Sequence, residues 1–428
     1  MKNFFGFDKY NTNMKTEIIA GFTTFMTMAY IIFVNPAMLG ETGMNEGAVM
    51  TATIIAAAIS CILMGVLTNY PFALASGMGL NAFFAFTIAP EAGWEGALAA
   101  VFISGIAFLL LAWLGLINKI DDAVPTSLKK AVAAGIGLFI AFIGLKNSGI
   151  IIGDADNLLA LGDLTETNSL LAVIGLIVTA SLMALKIKGA ILIGIIVSTF
   201  LSFFMGLQEF PTGVSSFIGQ PASLSPIAFQ LSFSNIFDLG IVTIFALVFV
   251  DLFDTMGTLL GAGARAGYLN EKGNLPKVKN AMIADAIGTM GGALLGTSTV
   301  TTYVESTSGI SEGGKTGFTA VTVGILFLVS LFFAPFAGLV PAEATAPALI
   351  IVGVLMVGSV KEIEFDDFTE AFPAFITISF MPFTFSIAHG IAGGFIAYPL
   401  VKLFAGKTDE LNWFNYALGI ISILHFIG

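Results

Sequence analysis

Two acidic side chains in an otherwise apolar chain are the residues best suited to chemistry. Asp254 sits in Phe253-Asp254-Thr255-Met256-Gly257-Thr258, and Glu305 follows the hydroxyl-rich run Thr297-Ser298-Thr299-Val300-Thr301-Thr302-Tyr303. An ionised carboxylate is costly in hydrocarbon, so such groups face a polar cavity, a ligand or a partner. Ligand contact is expected at both, the alternative being a structural carboxylate satisfied by threonine or backbone N–H groups. Asp251 lies three residues before Asp254, on nearly the same helix face. Two acids that close titrate as a pair, which suits a proton carrier; a helix-terminal role for Asp251 is the competing reading. Asp285 reads as structural, paired with a basic group, and Glu343, after Pro341, as a helix start.

Other reactive residue types lack partners. His389 and His425 have no second ligand at metal spacing, so no metal or other cofactor is expected. Gly261-Ala262-Gly263-Ala264 lacks the lysine-serine ending of a nucleotide-binding loop. Cys61, the single cysteine, lies in an apolar run and reads as core filler. With no nucleophile–base set an enzyme is disfavoured, and no basic patch suggests nucleic acid.

The elements that must position the two acids are membrane helices. The chain is 57% hydrophobic and 11% charged, against about 25% charge for a soluble domain. Uncharged runs such as Gly47 to Pro90 and Thr316 to Ala342 exceed the roughly 20 residues that cross a bilayer. They are continuous, unlike the short alternating segments of a β-barrel. The pattern predicts an all-α polytopic protein with helices near 18–37, 48–69, 74–88, 97–117, 126–145, 169–186, 189–206, 237–262, 279–296, 304–313, 317–337, 344–360, 370–386 and 388–404. Residues 413–427 form a last apolar stretch.

With a cytoplasmic N-terminus, all of the 17 lysines and arginines except Lys146 fall inside, Lys119 and Lys272 among them. That is a strong positive-inside bias, and it predicts a multi-pass protein of the inner or plasma membrane.

An offset of 230 residues lays Gly21 to Met28 on Asp251 to Thr258, and so Thr24 on Asp254. Seven spans separate the equivalents, so the halves are expected to be inverted: 1–206 the first repeat, 207–236 an extracellular connection, 237–404 the second repeat and 405–428 a C-terminal apolar segment. The third segment of each half is broken. Tyr70-Pro71-Phe72-Ala73-Leu74-Ala75-Ser76-Gly77 and Thr297 to Tyr303 both read as an extended piece entering a half-helix. Irregular backbone at membrane depth is tolerated only against protein or an aqueous cavity, and carriers hold substrate where such helices meet. The competing reading is a loop at the membrane rim.

Four stretches carry a resemblance: Gly21 to Pro36, Asn69 to Ala82, Phe253 to Leu259 and Gly296 to Gly309. Through them essentially the whole chain resembles the AzgA-like guanine/hypoxanthine or adenine permeases, related to the uracil and xanthine permeases. The resemblance implies a 14-segment 7+7 inverted repeat of uracil-permease type, with short strands preceding half-helices 3 and 10. It divides the chain into a core domain (segments 1–4 and 8–11) and a gate domain (segments 5–7 and 12–14). It implies import of a purine nucleobase by alternating access, with Asp254 and Glu305 at the family's two acidic positions and a contact region around Phe72 to Ser76. Asp254 stands where the uracil permeases have Glu, and Thr255 where they have His, which favours a larger purine.

Substrate binding is accordingly expected at Glu305, Asp254, Phe72, Ala75, Ser76, Tyr303 and Thr24, with the coupling proton on Asp254, Asp251 or Glu305. Glu305 accepts from the ring N–H and exocyclic amino group, aromatic rings cover a face of the base, and N–H groups near Ala75 and Ser76 meet its carbonyl or ring nitrogen. Sodium remains the alternative coupling ion, an anion carrier or channel the alternative function on this fold. The bilayer is the other partner, and the sequence is compatible with a homodimer.

Overall fold

The computed structural model describes residues 2–115, 123–239, 241–270 and 274–427. Lys119 and Lys272, used in the charge argument, lie outside them, as does the side chain of His425. Among the described residues nine helices are long and apolar enough to cross a membrane, and Ala190–Phe204, Phe368–Phe383 and Trp413–Leu424 are shorter apolar helices. Large rings at helix ends face outward, with Phe204 76%, Phe383 80% and Phe404 87% exposed. Surface of that kind suits lipid, and the protein is an all-α, multi-pass membrane protein with two small sheets.

The first expected helix is two. After the short α1 (Lys2–Phe5), α2 (Met14–Met28) and α3 (Ile31–Gly40) are separated at Ala29 and Tyr30. The junction is closed by tight bonds from Ile32 N–H to Ala29 and from Phe33 N–H to Tyr30, at 3.1 and 3.0 Å. Pro36 within α3 supplies no N–H to the Ile32 carbonyl, which weakens the same turn. Helix α4 (Glu46–Thr68) begins on Asn45, whose side chain accepts the Ala48 N–H, and ends on Asn69 at φ 61°. A left-handed asparagine is a standard helix stop. Here it also ties the chain together: Asn69 donates to the Phe5 carbonyl at 3.0 Å and accepts the Gly317 N–H at 2.9 Å.

The two stretches expected to be broken, around 70–77 and 297–303, each carry a short strand before a short helix. Strand β1 (Leu74–Ser76) leads into α5 (Met78–Phe83), a π-helical turn over Phe84–Ile88, and α6 (Ala89–Leu114), which is kinked at Gly93. Later, β4 (Val300–Thr302) leads into α12 (Ser306–Ser311). The two strands pair antiparallel, Leu74 opposite Thr302, Ala75 opposite Thr301 and Ser76 opposite Val300. Water is scarce at this depth, so the outer edges need side-chain partners. Cys61 Sγ bonds both the N–H and the carbonyl of Leu74 at 3.1 Å. On the other edge Thr289 Oγ1 does the same for Val300, also at 3.1 Å. Cys61 is therefore more than core filler: it closes a strand edge.

Helix α7 (Thr126–Asn147) is followed by a surface hairpin, β2 (Ile151–Asp154) with β3 (Leu158–Leu161), and by α8 (Thr167–Ala184) and α9 (Ala190–Phe204). The remaining elements are α10 (Ile241–Ala266), α11 (Val278–Leu295), α13 (Gly317–Ser330), α14 (Ala334–Ala337), α15 (Ala342–Val357), α16 (Phe368–Phe383), α17 (Ile387–Phe404) and α18 (Trp413–Ile427). Their packing is paired. Helix α4 lies on α13, α6 on α11, and α7 on α15. Glycine lets the crossings close: a Cβ on Gly317 would sit 2.0 Å from the Gly65 carbonyl oxygen, and one on Gly353 2.4 Å from that of Gly137. Small residues permit such backbone approach between membrane helices.

Candidate functional site

Asp254 is half-buried on α10 and faces a cavity of about 300 Å3. Lys129, Ile136, Phe249, Phe253 and Met356 line it, with Gly79 of α5. The chamber thus lies between the strand-bearing region and the α7–α15 pair. Strand β4 packs against α10, so the strand pair lies beside the helix that carries one of the two acids.

Glu305 immediately precedes α12 and is also half-buried. Its Oε1 accepts from Tyr30 Oη at 3.0 Å. The α2–α3 break therefore has a use, because it turns Tyr30 toward the start of a half-helix in the other half of the chain. Tyr303 is tied down at both ends, its N–H donating to the Ala73 carbonyl at 2.9 Å and its hydroxyl to the Ser76 carbonyl. The hydroxyls of Ser76 and Ser298 converge on Asn81 Oδ1, which locks β1, β4 and α5 into one polar knot. A knot of this kind is stable in a low-dielectric interior only when its groups satisfy one another.

Several expected site residues sit elsewhere. Phe72 is fully buried, its ring packed against Tyr70 and Tyr268 at centroid distances of 5.1 and 6.2 Å, and it does not line the chamber. Thr24 is fully buried on α2 and faces α12, where a Cβ on Gly309 would lie 2.2 Å from its hydroxyl oxygen. Ala75 lies between two cross-strand bonds, from Tyr303 N–H to Ala73 and from Gly77 N–H to Thr299. Ladder alternation makes Ala75–Thr301 a hydrogen-bonded pair, so the Ala75 N–H is used within the sheet, while that of Ser76 points out of it.

Asp251 is fully buried and neither carboxylate oxygen has a hydrogen-bond partner. Asp285 on α11 accepts from Thr255 Oγ1 at 3.0 Å through one oxygen, and the other has no partner. The basic partner expected for Asp285 is absent because Lys279 reaches the Trp113 carbonyl at 3.0 Å instead. Glu343 lies in the first turn of α15, as a helix start should. The residues that sequence reasoning missed are Tyr30, Lys129, Phe249 and Phe253. The one signal for the rings was their spacing, i and i+4, immediately before Asp254.

Two broken segments joined by a strand pair, with Asp254 lining the chamber beside them and Glu305 outside its lining, within a membrane-spanning bundle, define a carrier type of membrane protein. The chain belongs to the permease family whose model, Xan_ur_permease, matches residues 15–393. It is 44% identical over 441 residues to the guanine/hypoxanthine permease PbuG of Bacillus subtilis, covering 100% of this chain and 99% of that one. To the adenine permease AdeP of Escherichia coli it is 41% identical over 430 residues, covering 100% and 96%. In structure it is similar to the transmembrane domain of the cyanobacterial bicarbonate transporter BicA, with a TM-score of 0.66 at 15% identity over 89% of this chain and 97% of that one. At that identity the likeness concerns the fold alone.

Proposed function

We propose that this permease is a secondary active transporter that imports purine nucleobases, guanine and hypoxanthine first and adenine as the amino-substituted alternative. The observation that carries the reading is the pair of half-buried acids, Asp254 and Glu305, flanking one strand pair. A purine edge offers ring N–H and amino donors, and carboxylates are acceptors matched to them. Two relatives that the chain matches over nearly their whole length carry purines in their names. The likeness to a bicarbonate transporter, at 15% identity, concerns the fold and carries no substrate with it.

In this account the chain is a 7+7 inverted repeat, with a core of segments 1–4 and 8–11 and a gate of segments 5–7 and 12–14. The reciprocal packing of α4 on α13 and of α6 on α11 supports that division, as does the strand preceding each of α5 and α12. The N-terminus is cytoplasmic by charge. Lys129, Lys130 and Ser359 line the chamber, so on that assignment it lies toward the cytoplasmic side. Alternating access is the motion between this arrangement and its converse.

The coupling ion in this reading is the proton. Burying an ionised carboxylate without a partner is costly, and Asp251 has no hydrogen-bond partner; taking up a proton removes that charge. Labelled guanine, hypoxanthine and adenine should accumulate in proteoliposomes when an inward proton gradient is imposed. Accumulation that persists without the gradient and requires sodium instead would overturn the coupling assignment.

A further inference from the structure

We propose that Phe253 is the platform on which the base stacks, and that Lys129 covers this platform while the chamber is empty; the proposal rests on the purine reading above. A carboxylate can hold the edge of a flat base but not its face. The chamber must supply a surface for that face, and much of its lining is aliphatic, including Val132, Ile136, Met256 and Met356. The aromatic side chains in the lining are Phe249 and Phe253.

Phe253 is the better placed of the two. It adjoins Asp254 on α10, and both line the same 300 Å3 space, so a base bonded to Asp254 lies against the neighbouring ring. The ring is partly exposed and is braced by other rings. Phe249 meets it at a centroid distance of 4.3 Å with a 58° tilt, and Phe249 is braced in turn by Phe395 of α17 at 5.1 Å and 86°. Tyr303 and Phe72, the rings the sequence suggested, are engaged elsewhere: one is bonded through its hydroxyl to the Ser76 carbonyl, the other enclosed by Tyr70 and Tyr268.

Lys129 places its ammonium 5.1 Å from the centroid of the Phe253 ring. A cation over a ring is held by the electron-rich face, and because Lys129 also lines the chamber, the covered face is the one turned to the cavity. A neutral purine that stacks there must move the ammonium aside. Lys129 belongs to α7 and Phe253 to α10, so exchanging lysine for base changes a contact between the two sides of the chamber. Binding of substrate is thereby linked to a contact that must alter when those sides move.

The test is equilibrium binding of guanine, hypoxanthine and adenine to the purified full-length protein. Absence of binding by the wild type would overturn the purine reading itself, and stacking with it. If the wild type binds, Phe253→Ala should weaken the preferred base roughly 5- to 150-fold, the range for loss of one aromatic–base stack. Phe253→Tyr should stay within a few-fold of wild type, a rescue that depends on the ring. Phe253→Trp guards against an alanine variant that fails to fold, since its added emission should be quenched by saturating base beyond the response of Trp94, Trp113 and Trp413 in the wild type. Unchanged affinity in Phe253→Ala, or no added quench in Phe253→Trp, would overturn the platform. Lys129→Met should bind roughly 2- to 10-fold more tightly, because the base no longer competes with a cation for the face. Equal or weaker binding by that variant would overturn the covering role of Lys129.

Discussion

Tyr30 donates to Glu305 across 3.0 Å, joining the break between the first two long helices to the start of a half-helix in the opposite half of the chain. Each of these positions lies in a turn at a helix end, and the bond ties the two turns together. In Tyr30→Phe, Glu305 keeps its charge but loses the bond that aims it. We expect guanine affinity to fall by roughly 1 kcal/mol, about fivefold, with the thermal transition of the substrate-free protein little changed. Unaltered affinity in equilibrium binding would show that Glu305 needs no such positioning.

Cys61 offers a test of the strand edge. In Cys61→Ala both the N–H and the carbonyl of Leu74 lose their partner, at a depth where water cannot replace it. A loss of roughly 1–3 kcal/mol is expected, read as a lower thermal transition in detergent. Cys61→Ser, which retains a donor and an acceptor, should recover part of it. Equal transitions for the alanine variant and the wild type would contradict the role.

Lys402 is a fully buried cation on α17, 2.6 Å from Glu370 Oε1 and paired also with Glu410. Ser127, at the start of α7, donates to the same Glu370 carboxylate. One ammonium therefore ties together the ends of three elements. Lys402→Met leaves a partly buried carboxylate uncompensated, a change that costs roughly 3–5 kcal/mol in buried pairs. A large drop in the thermal transition is expected, and a smaller one for Glu410→Gln, whose side chain is 43% exposed. A Lys402→Met protein as stable as wild type would show that the pair contributes no net stability.

The orientation rests on charge and is open to a direct test. Asn274, in the loop between α10 and α11, should be cytoplasmic. A cysteine there, in Asn274→Cys, should resist an impermeant maleimide on intact cells and react after lysis. Rapid labelling of intact cells would reverse the topology.

The broad plan was legible because its causes are local. Long apolar runs, Asn69-Tyr70-Pro71 and the β-favouring Thr297 to Tyr303 each announce a span or a break within a few residues. The site was legible only in part, since its pairings are distant. Glu305 could be singled out by its cost in an apolar setting, but its partner Tyr30 lies 275 residues away in a run that reads as plain helix. Phe72 attracted attention through its proximity to the break, yet Tyr268, from a loop nearly 200 residues later, encloses it. Asp285 looked for a lysine nearby in sequence and met Thr255 of the facing helix. Which ring faces the cavity is decided by helix rotation within the bundle, and periodicity in an all-apolar span does not encode that strongly.

The central claim, that Glu305 recognises the purine edge, is tested most directly by equilibrium binding of guanine to purified Glu305→Gln. The substitution keeps size and one acceptor but turns the other oxygen into a donor that confronts a ring or amino N–H. Charged hydrogen bonds are worth roughly 1.5–3 kcal/mol, so affinity should fall about 10- to 150-fold, while the substrate-free protein keeps its thermal transition. A base with fewer donors on that edge should lose less. Wild-type guanine affinity in Glu305→Gln would contradict the account, whatever became of transport.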